Sequence, residues 1–367
     1  MARPLPASEL SAELAAVLDD LAADGREPGG AVCVVRAADG ADGAEEVVEH
    51  CVGTTDGSSP WSPDTLVMTY SVAKPFAALA VLSVVAEGAL GLDQRVAEVW
   101  PAYGVRGKEA TTVRHLLSHR AGLPCFPEAA ADLAFDDEDG LTALLAGAAP
   151  DHEPGTAVAE HALTYGHLCA ALVRAATGED LADRFAAIAA AHGWDAHLRV
   201  REPDLGRVAD VVPVAADWPA GYLDDPRWGP ALSRPPGLLD PAVLNSRRWR
   251  TTSFPAIGMH ASARGLARCY ADLVPDGGPV ARLLGPDLHR EYLAPQATGT
   301  DRVIGREVTW TLGLQRDDDD LGMGGAGGCS AWWSLRSGYA AAYVTRGLGS
   351  HERGDAVYEL LEGRGGS

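Results

Sequence analysis

Residues 65–90, TLVMTYSVAKPFAALAVLSVVAEGAL, combine a short apolar approach with a long run of Ala, Leu and Val that begins after Tyr70. This run predicts a long buried helix over residues 71–90. Pro75 stands near the start of that helix, where proline is tolerated because the first N–H groups have no partner within the helix. Ser71 and Lys74 are three residues apart, so on a helix their side chains lie on one face and can interact.

Ser71 and Lys74 form an S-x-x-K pattern that can make a serine hydroxyl reactive. A serine hydroxyl is a poor nucleophile until a base takes its proton. A lysine can serve as that base when burial lowers its pKa, because desolvation disfavours the ammonium form. Lysine is rare here, with only Lys74 and Lys108 against 28 arginines. The alternative interpretation is a surface lysine whose stem packs on the protein, but the apolar neighbours favour burial.

Further segments follow this pattern along the chain. These are residues 113–124 (VRHLLSHRAGLP), residues 153–156 (EPGT) followed by 165–167 (YGH), and residues 321–328 (LGMGGAGG). Together with residues 69–76 (TYSVAKPF), this ordered set resembles the serine β-lactamase-related family, in particular its branch of class C β-lactamases, DD-peptidases and family VIII esterases. The resemblance covers nearly the whole chain. It implies an α+β fold of the β-lactamase/transpeptidase type.

The resemblance also implies catalytic roles. Ser71 would be the acylated nucleophile, and Lys74 and Tyr165 would share general-base and general-acid work. The oxyanion hole would consist of the backbone N–H groups of Ser71 and Ala326, two donors aimed at the tetrahedral oxygen. The alternative for Tyr165 is a core aromatic ring whose hydroxyl already has a partner.

Two positions depart from the family pattern and affect the expected substrate site. His167 stands where the family often has Asn, and both side chains can donate a hydrogen bond. Met323 stands where the family has Lys or His, and a thioether cannot supply the charge or N–H that holds a substrate carboxylate. We therefore do not expect penicillin hydrolysis. Gly324 and Gly325 would let a substrate backbone approach the strand edge.

Other side chains are candidates for the pocket or for a metal. Trp249 and His260 lie in segments that resemble pocket borders, so they could line the acyl or leaving-group site or could simply be packed. His115 and His119 have the i, i+4 spacing of metal ligands on a helix. No third ligand follows at a useful spacing, so we expect no metal and no cofactor.

The predicted strands lie at both ends of the chain, and the predicted helices lie mostly between them. The strands are expected at residues 29–37, 46–53, 309–315, 329–335 and 339–345, with a Gly/Asp-rich hairpin between the first two. The helices are expected at residues 10–21, 71–90, 113–118, 141–146, 164–176, 180–191 and 355–361. This order predicts an antiparallel sheet built from both termini and flanked by helices, with an inserted helical domain. The domains would be residues 1–95 with 300–367, and residues 96–299, with the active site between them.

Residues 209–241 contain seven prolines and two tryptophans and show no clear periodicity. We interpret it as an irregular loop region. Large loops inside compact enzymes often border a binding site.

Composition and charge limit the partners and the location. A net charge of −21 repels phosphate backbones, so nucleic acid is not expected as a partner. The N-terminal sequence lacks the apolar stretch of a signal peptide, and no apolar run reaches the length of a membrane span. We therefore expect a cytoplasmic protein without membrane contact. Six scattered cysteines without metal-ligand spacing predict free thiols.

The predicted function is acyl transfer through an acyl-enzyme on Ser71. With water as acceptor, the protein would be an esterase-like or amidase-like hydrolase of a small-molecule ester or amide. With an amine as acceptor, it would be a transacylase that forms an amide in specialised-metabolite biosynthesis. A third alternative is a non-catalytic binding protein on the same fold, suggested by Met323. The oligomeric state is left open.

Overall fold

The computed structural model of the chain describes residues 6–37 and 45–363, so the predicted hairpin turn at residues 38–44 lies outside the described residues. The strands are β1 (Gly29–Ala37), β2 (Glu45–Gly53), β3 (Val67–Met68), β4 (Ala196–His197), β5 (Val212–Pro213), β6 (His260–Ala261), β7 (Ala297–Thr300), β8 (Glu307–Trp310), β9 (Gln315–Arg316), β10 (Asp320–Gly324), β11 (Ser330–Ser334), β12 (Tyr339–Thr345) and β13 (Gly347–Leu348).

The α-helices lie mostly between β2 and β7. They are α1 (Ala7–Ala23), α2 (Lys74–Ala86), α3 (Val96–Val99), α4 (Val113–Leu117), α5 (Glu138–Gly147), α6 (Thr164–Thr177), α7 (Leu181–His192), α8 (Ala220–Leu223), α9 (Trp228–Leu232), α10 (Pro241–Leu244), α11 (Arg247–Arg250), α12 (Ala263–Leu273), α13 (Pro279–Leu284), α14 (Pro286–Leu293) and α15 (Glu352–Glu362).

The main sheet joins the two ends of the chain. Among the described residues, its strands follow the order β2-β1-β12-β11-β10-β9-β8-β7, and its strand pairs are antiparallel. Strand β1 lies between β2 and β12, with Val32 opposite His50 on one side and Tyr343 on the other. The N-terminal and C-terminal segments therefore form one sheet, which confirms the predicted α+β fold.

Alternating side chains of β1 divide the core into two parts. Cys33 and Val35 face the large core that contains α2, while Val32 and Val34 face a second cluster with α1. Such period-two alternation is expected for a strand covered on both sides. The valine-rich sequence of β1 thus fits its central position.

Helix α2 is buried on nearly all sides, as its composition predicts, but it begins later than expected. Residues Tyr70–Ala73 form a 3₁₀ turn, and the α-helix begins at Lys74. Tyr70 has φ of 50°, a left-handed conformation that non-glycine residues seldom adopt, and it turns the chain sharply into Ser71. The α-helix ends at Ala86, two residues before Gly88 with φ of 79°.

Two other predicted segments differ from the structure. The strand predicted at residues 309–315 is split into β8 and β9, because Gly313 with φ of 114° lies in a tight turn between them. The region 209–241 is not wholly irregular, since it contains β5, α8 and α9.

The six cysteines are free, as predicted. The domain boundaries remain a prediction.

In the part of the chain that the structure describes, no helix combines the length and apolar character needed to cross a membrane.

Candidate active site

Ser71 and Lys74 lie at the junction between the 3₁₀ turn and α2. Ser71 is half-buried, whereas Lys74 is fully buried among the apolar residues that follow it. Lys74 Nζ donates a hydrogen bond to Ser71 Oγ at 2.6 Å. The structure therefore brings the two residues of the S-x-x-K pattern into direct contact, with the hydroxyl on the more accessible side.

Glu160 lies on the other side of the lysine. Its Oε1 is 3.2 Å from Lys74 Nζ, and both side chains are buried. Burial lowers the pKa of Lys74, and the nearby Glu160 charge partly opposes this. Burial raises the pKa of Glu160, and Lys74 opposes that change in turn. The lysine is thus held between a hydroxyl and a carboxyl group.

Sequence reasoning missed Glu160. Its only signal is that it is the single acidic residue in segment 157–163 (AVAEHAL), where every other residue except His161 is apolar. A charged residue in such a segment is seldom fully buried without a partner. That rule could have marked Glu160 as a candidate partner for a buried lysine, although it could not have identified which one.

Tyr165 does not join this site, which corrects the role predicted for it. Its hydroxyl donates to the carbonyl of Leu117 at 3.0 Å, and its ring stacks on His119 with centroids 4.6 Å apart. Burial raises the pKa of Tyr165 well above its ordinary value, so the phenol keeps its proton. Where the resemblance implies a phenol beside the lysine, the structure has the Glu160 carboxyl group.

The turn between β10 and β11 packs against the residues that precede Ser71. A Cβ atom on Gly325 would lie 2.1 Å from the carbonyl oxygen of Thr69, so only glycine allows this approach. Ala326, the predicted second oxyanion donor, follows Gly325 in this turn. The close approach supports that prediction for Ala326, which together with the N–H of Ser71 remains a proposal.

Met323 occupies a buried position on β10, and its side chain packs in an apolar cluster with Val158, Val308 and Trp310. This cluster lies beside the segment that carries Glu160. Gly324 ends β10 and has space around it, since a Cβ atom there would meet only His351 at 3.7 Å. Their predicted contacts with substrate stay predictions.

His167 and Trp249 are packed in the core, which corrects their predicted place in the substrate site. The His167 ring lies 4.6 Å from that of Phe254 and 5.3 Å from that of Phe126. Trp249 also packs against Phe254, with ring centroids 5.7 Å apart. Burial lowers the pKa of His167 to about 3, so its ring is neutral at neutral pH. These rings join α6 to the segment around α11.

His260 is also a core residue rather than a pocket residue. It lies on β6 opposite Met68 of β3, and its Nδ1 is 3.0 Å from the carbonyl oxygen of Gly258. Burial lowers the pKa of His260 to about 3. Its strand β6 pairs with β3, which precedes Ser71 in the chain. His260 therefore stabilises the segment that positions Ser71 and does not line the site itself.

The two histidines with metal-ligand spacing are used within the structure. His115 Nδ1 accepts a hydrogen bond from the N–H of Thr112 at 3.4 Å, and His119 Nδ1 accepts one from His161 N at 3.0 Å. Within residues 6–37 and 45–363, no three His, Cys, Asp or Glu side chains converge as a metal site requires.

Four aromatic side chains form a continuous row that begins at Tyr70, the residue before Ser71, and we call this row the aromatic strip. The strip consists of Tyr70, Trp218, Tyr222 and Trp228, with successive ring centroids 6.2, 5.6 and 6.0 Å apart in edge-to-face arrangements. Three of the four come from the proline-rich and tryptophan-rich region 209–241, and these three are half-buried.

Tyr222 connects the aromatic strip to the reactive residues. The backbone N–H of Gly327 approaches its phenol, and the charge of Glu160 acts on it. Burial raises the pKa of Tyr222, so the phenol is protonated at neutral pH. The region predicted to border a binding site therefore places the phenol of Tyr222 within electrostatic range of Glu160.

The antiparallel sheet, the helix α2 and the Ser71–Lys74 contact define a β-lactamase/transpeptidase-like protein with an S-x-x-K site. The chain belongs to the Beta-lactamase family, whose model matches residues 14–363. This confirms the resemblance seen in the sequence motifs.

The similar solved structures include an esterase and a penicillin-binding protein homologue. A family VIII carboxylesterase has a TM-score of 0.81 and 27% sequence identity, with 98% of both chains covered. A penicillin-binding protein homologue from Caulobacter crescentus has a TM-score of 0.79 and 29% identity, with 95% of this chain and 94% of the homologue covered.

Among curated proteins, the esterase/β-lactamase LipL of Mycobacterium tuberculosis is 36% identical over 139 residues. These residues make up 37% of this chain and 32% of LipL. The match thus spans about a third of the length of that relative.

Proposed function

We propose that the chain is a serine hydrolase that cleaves a small-molecule ester through an acyl-enzyme on Ser71. The observation that carries the proposal is the 2.6 Å contact between Ser71 Oγ and the fully buried Lys74 Nζ. Because burial lowers the pKa of Lys74, a neutral amine is more accessible there than at the protein surface. A neutral amine at this distance can take the proton of the serine hydroxyl.

In the first half-reaction, the Ser71 O–H bond breaks and its proton moves to Lys74 Nζ. The hydroxyl oxygen forms a bond to the ester carbonyl carbon, and the carbonyl oxygen becomes an oxyanion. The C–O bond to the alcohol then breaks, and the leaving oxygen takes the proton from Lys74. Water repeats the sequence against the acyl-enzyme, and Ser71 regains its proton.

The backbone N–H groups of Ser71 and Ala326 would stabilise the oxyanion, since fixed donors aimed at that oxygen lower the barrier. The close approach of Gly325 to Thr69 supports this assignment. The aromatic strip would receive the apolar part of the substrate, because offset and edge-on aromatic contacts favour flat or branched apolar groups.

The site favours an ester without a free carboxylate over a penicillin-like substrate. Met323 offers no positive charge or N–H for a carboxylate, and it packs in an apolar cluster. Glu160 adds a carboxyl group next to Lys74 that would repel a substrate anion.

Turnover of p-nitrophenyl esters by the purified chain tests the proposal. Ser71→Ala should abolish turnover, whereas Ser83→Ala should retain it, because the Ser83 hydroxyl on the same helix donates to the carbonyl of Ala80. Equal turnover by the wild type and Ser71→Ala would contradict the proposal.

Addition of primary amines then tests acceptor choice: an amide product that grows with amine concentration would replace the hydrolase assignment with the transacylase alternative.

A further inference from the structure

Glu160 lies against the base Lys74 but has no role in the acyl-enzyme reaction proposed for Ser71. Lys74 Nζ contacts Ser71 Oγ at 2.6 Å on one side and Glu160 Oε1 at 3.2 Å on the other. Glu160 is only 3% exposed. A buried ion pair is a weak source of stability, because desolvation of both charges offsets their attraction. Its position one contact away from the nucleophile therefore points to chemistry.

The backbone of Glu160 is held in place by a second buried carboxylate. Asp301 Oδ1 accepts a hydrogen bond from the N–H of Glu160 at 3.1 Å, and Asp301 Oδ2 accepts one from Trp310 Nε1 at 3.0 Å. Asp301 itself is fully buried. These bonds fix the main chain from which the Glu160 side chain reaches Lys74.

The groups that act on Glu160 have mixed signs. The Asp301 charge raises the pKa of Glu160, and the Arg306 charge lowers it by a smaller amount. Tyr222 also lies within range of the Glu160 charge, but its phenol stays protonated. Lys74 is the only one of these groups in direct contact with the Glu160 carboxyl group.

On the side of Lys74, the other titratable groups are neutral. The charge of Lys74 acts on His119 and His161, and burial lowers the pKa of His161 to about 3 and that of His119 well below its ordinary value. Neither ring is charged at neutral pH. The charge state of Lys74 therefore depends on its burial and on Glu160.

We propose that Glu160 is a positioning residue that acts through Lys74, so that Ser71, Lys74 and Glu160 form a relay in which a carboxylate replaces the phenol implied by the family resemblance. When the Ser71 proton moves to Lys74 Nζ, the new ammonium faces the Glu160 carboxylate, which stabilises it. Glu160 neither gains nor loses a proton, and the ammonium later gives its proton to the leaving oxygen. This inference rests on the proposed function of Ser71.

Direct titration of Lys74 tests the relay without any activity measurement. Because the chain has only two lysines, ¹⁵N-lysine labelling gives two Nζ signals, one from Lys74 and one from Lys108. The Glu160 charge raises the pKa of Lys74, so Glu160→Gln should lower the Lys74 midpoint by about one pH unit or more and leave Lys108 unchanged. An unchanged Lys74 midpoint in folded Glu160→Gln overturns the relay.

Kinetics provide the second readout. In Glu160→Gln, kcat/KM for an activated ester should fall roughly 100-fold, and its rise with pH should occur at lower pH, following the Lys74 pKa. Glu27→Gln is the matched control, because Glu27 is an equally buried glutamate that bonds Tyr343 and Thr345 away from the site. A lower plateau with the pH midpoint unmoved would mean a structural role only, and would overturn the relay.

Chemical rescue covers the case in which Glu160→Gln does not fold. In Glu160→Ala, added formate should restore part of the ester turnover, because it supplies a carboxylate beside Lys74, whereas formamide should not. Equal effects of formate and formamide overturn the relay. Ser71→Ala distinguishes failure of the relay from failure of the proposed function. If Ser71→Ala has no turnover, the proposed function stands and only the relay is overturned. If Ser71→Ala is active, the proposed function and the relay are both overturned.

Discussion

Lys74 and Lys108 are both fully buried, but the groups around them differ. Lys108 Nζ donates to the backbone carbonyl oxygens of Val105 at 3.2 Å, Ala146 at 3.1 Å and Ala148. These acceptors satisfy all three N–H bonds of an ammonium group, so they favour its charged form. Lys74 instead contacts a hydroxyl and a carboxyl group.

The difference shows that burial alone does not make a lysine reactive. Burial lowers the pKa of both lysines. At Lys108, backbone carbonyl oxygens from two separate segments accept all the hydrogen bonds that the ammonium group can donate. Lys108 therefore links these two segments. At Lys74, the partner is a hydroxyl that can give up a proton. A buried lysine becomes a candidate base only when its neighbour can react.

The largest expected effect separates the two lysines by function. Lys74→Met should reduce ester turnover roughly 1000-fold with the fold retained, because Ser71 loses the base that takes its proton. Lys108→Met should keep the turnover of each folded molecule but lower the free energy of unfolding by roughly 1–3 kcal/mol, because buried carbonyl groups lose their donor. Ester kinetics and urea unfolding of both variants measure this contrast; the reverse assignment would contradict it.

The next effect is the pH dependence of the wild type. Acylation needs the neutral amine of Lys74, so kcat/KM should rise with pH through the Lys74 pKa, which lies below its ordinary value of 10.5 because of burial. Lys74→Arg should show no such rise, since a guanidinium does not release its proton in this range. Lys108→Met should keep the wild-type midpoint. A shifted midpoint in Lys108→Met would show that the titrating group is Lys108, and would contradict the assignment to Lys74.

A smaller effect concerns substrate choice at the aromatic strip. Tyr222→Ala should raise KM for benzoyl esters about fivefold relative to acetyl esters, because the edge-to-face contacts of one ring are worth about 1 kcal/mol. Trp249→Phe serves as the comparison, since Trp249 is a core residue and should not change the ratio between the two esters. Equal changes in KM for both esters in Tyr222→Ala would show that the aromatic strip does not contact the acyl group of the substrate.

The smallest effect is expected at Tyr165. Tyr165→Phe removes only the hydrogen bond to the Leu117 carbonyl, so we expect a loss of about 1 kcal/mol in unfolding free energy and activity within about twofold of the wild type. Thermal melting and ester kinetics measure the two quantities. Activity that falls as far as in Lys74→Met would show that the Tyr165 hydroxyl has a catalytic role, and would contradict its placement against the Leu117 carbonyl.

The sequence predicted the parts of the molecule that depend on local spacing. Three residues of separation at a helix start were enough to bring Ser71 to Lys74. A continuous apolar run at residues 31–35 (AVCVV) was enough to predict β1 as a strand. In both cases the prediction follows from the geometry of one element, which a linear pattern records.

The sequence could not predict contacts between distant elements. Glu160 meets Lys74 across 86 positions, and no periodicity marks that meeting. Tyr165 has the expected place in the motif order, but its position on α6 directs its hydroxyl to Leu117. For Trp249, the sequence left pocket lining and core packing open, because motif order does not record whether a ring faces the core.

The most direct test of the reactive serine is covalent capture with a fluorophosphonate followed by intact mass and peptide mapping. If Ser71 is the nucleophile and Lys74 its base, the wild type should gain a single adduct on Ser71, faster as pH rises, and Lys74→Met should be labelled far more slowly. Folded wild-type protein that gains no adduct, or gains it on another residue, would show that Ser71 is not the nucleophile.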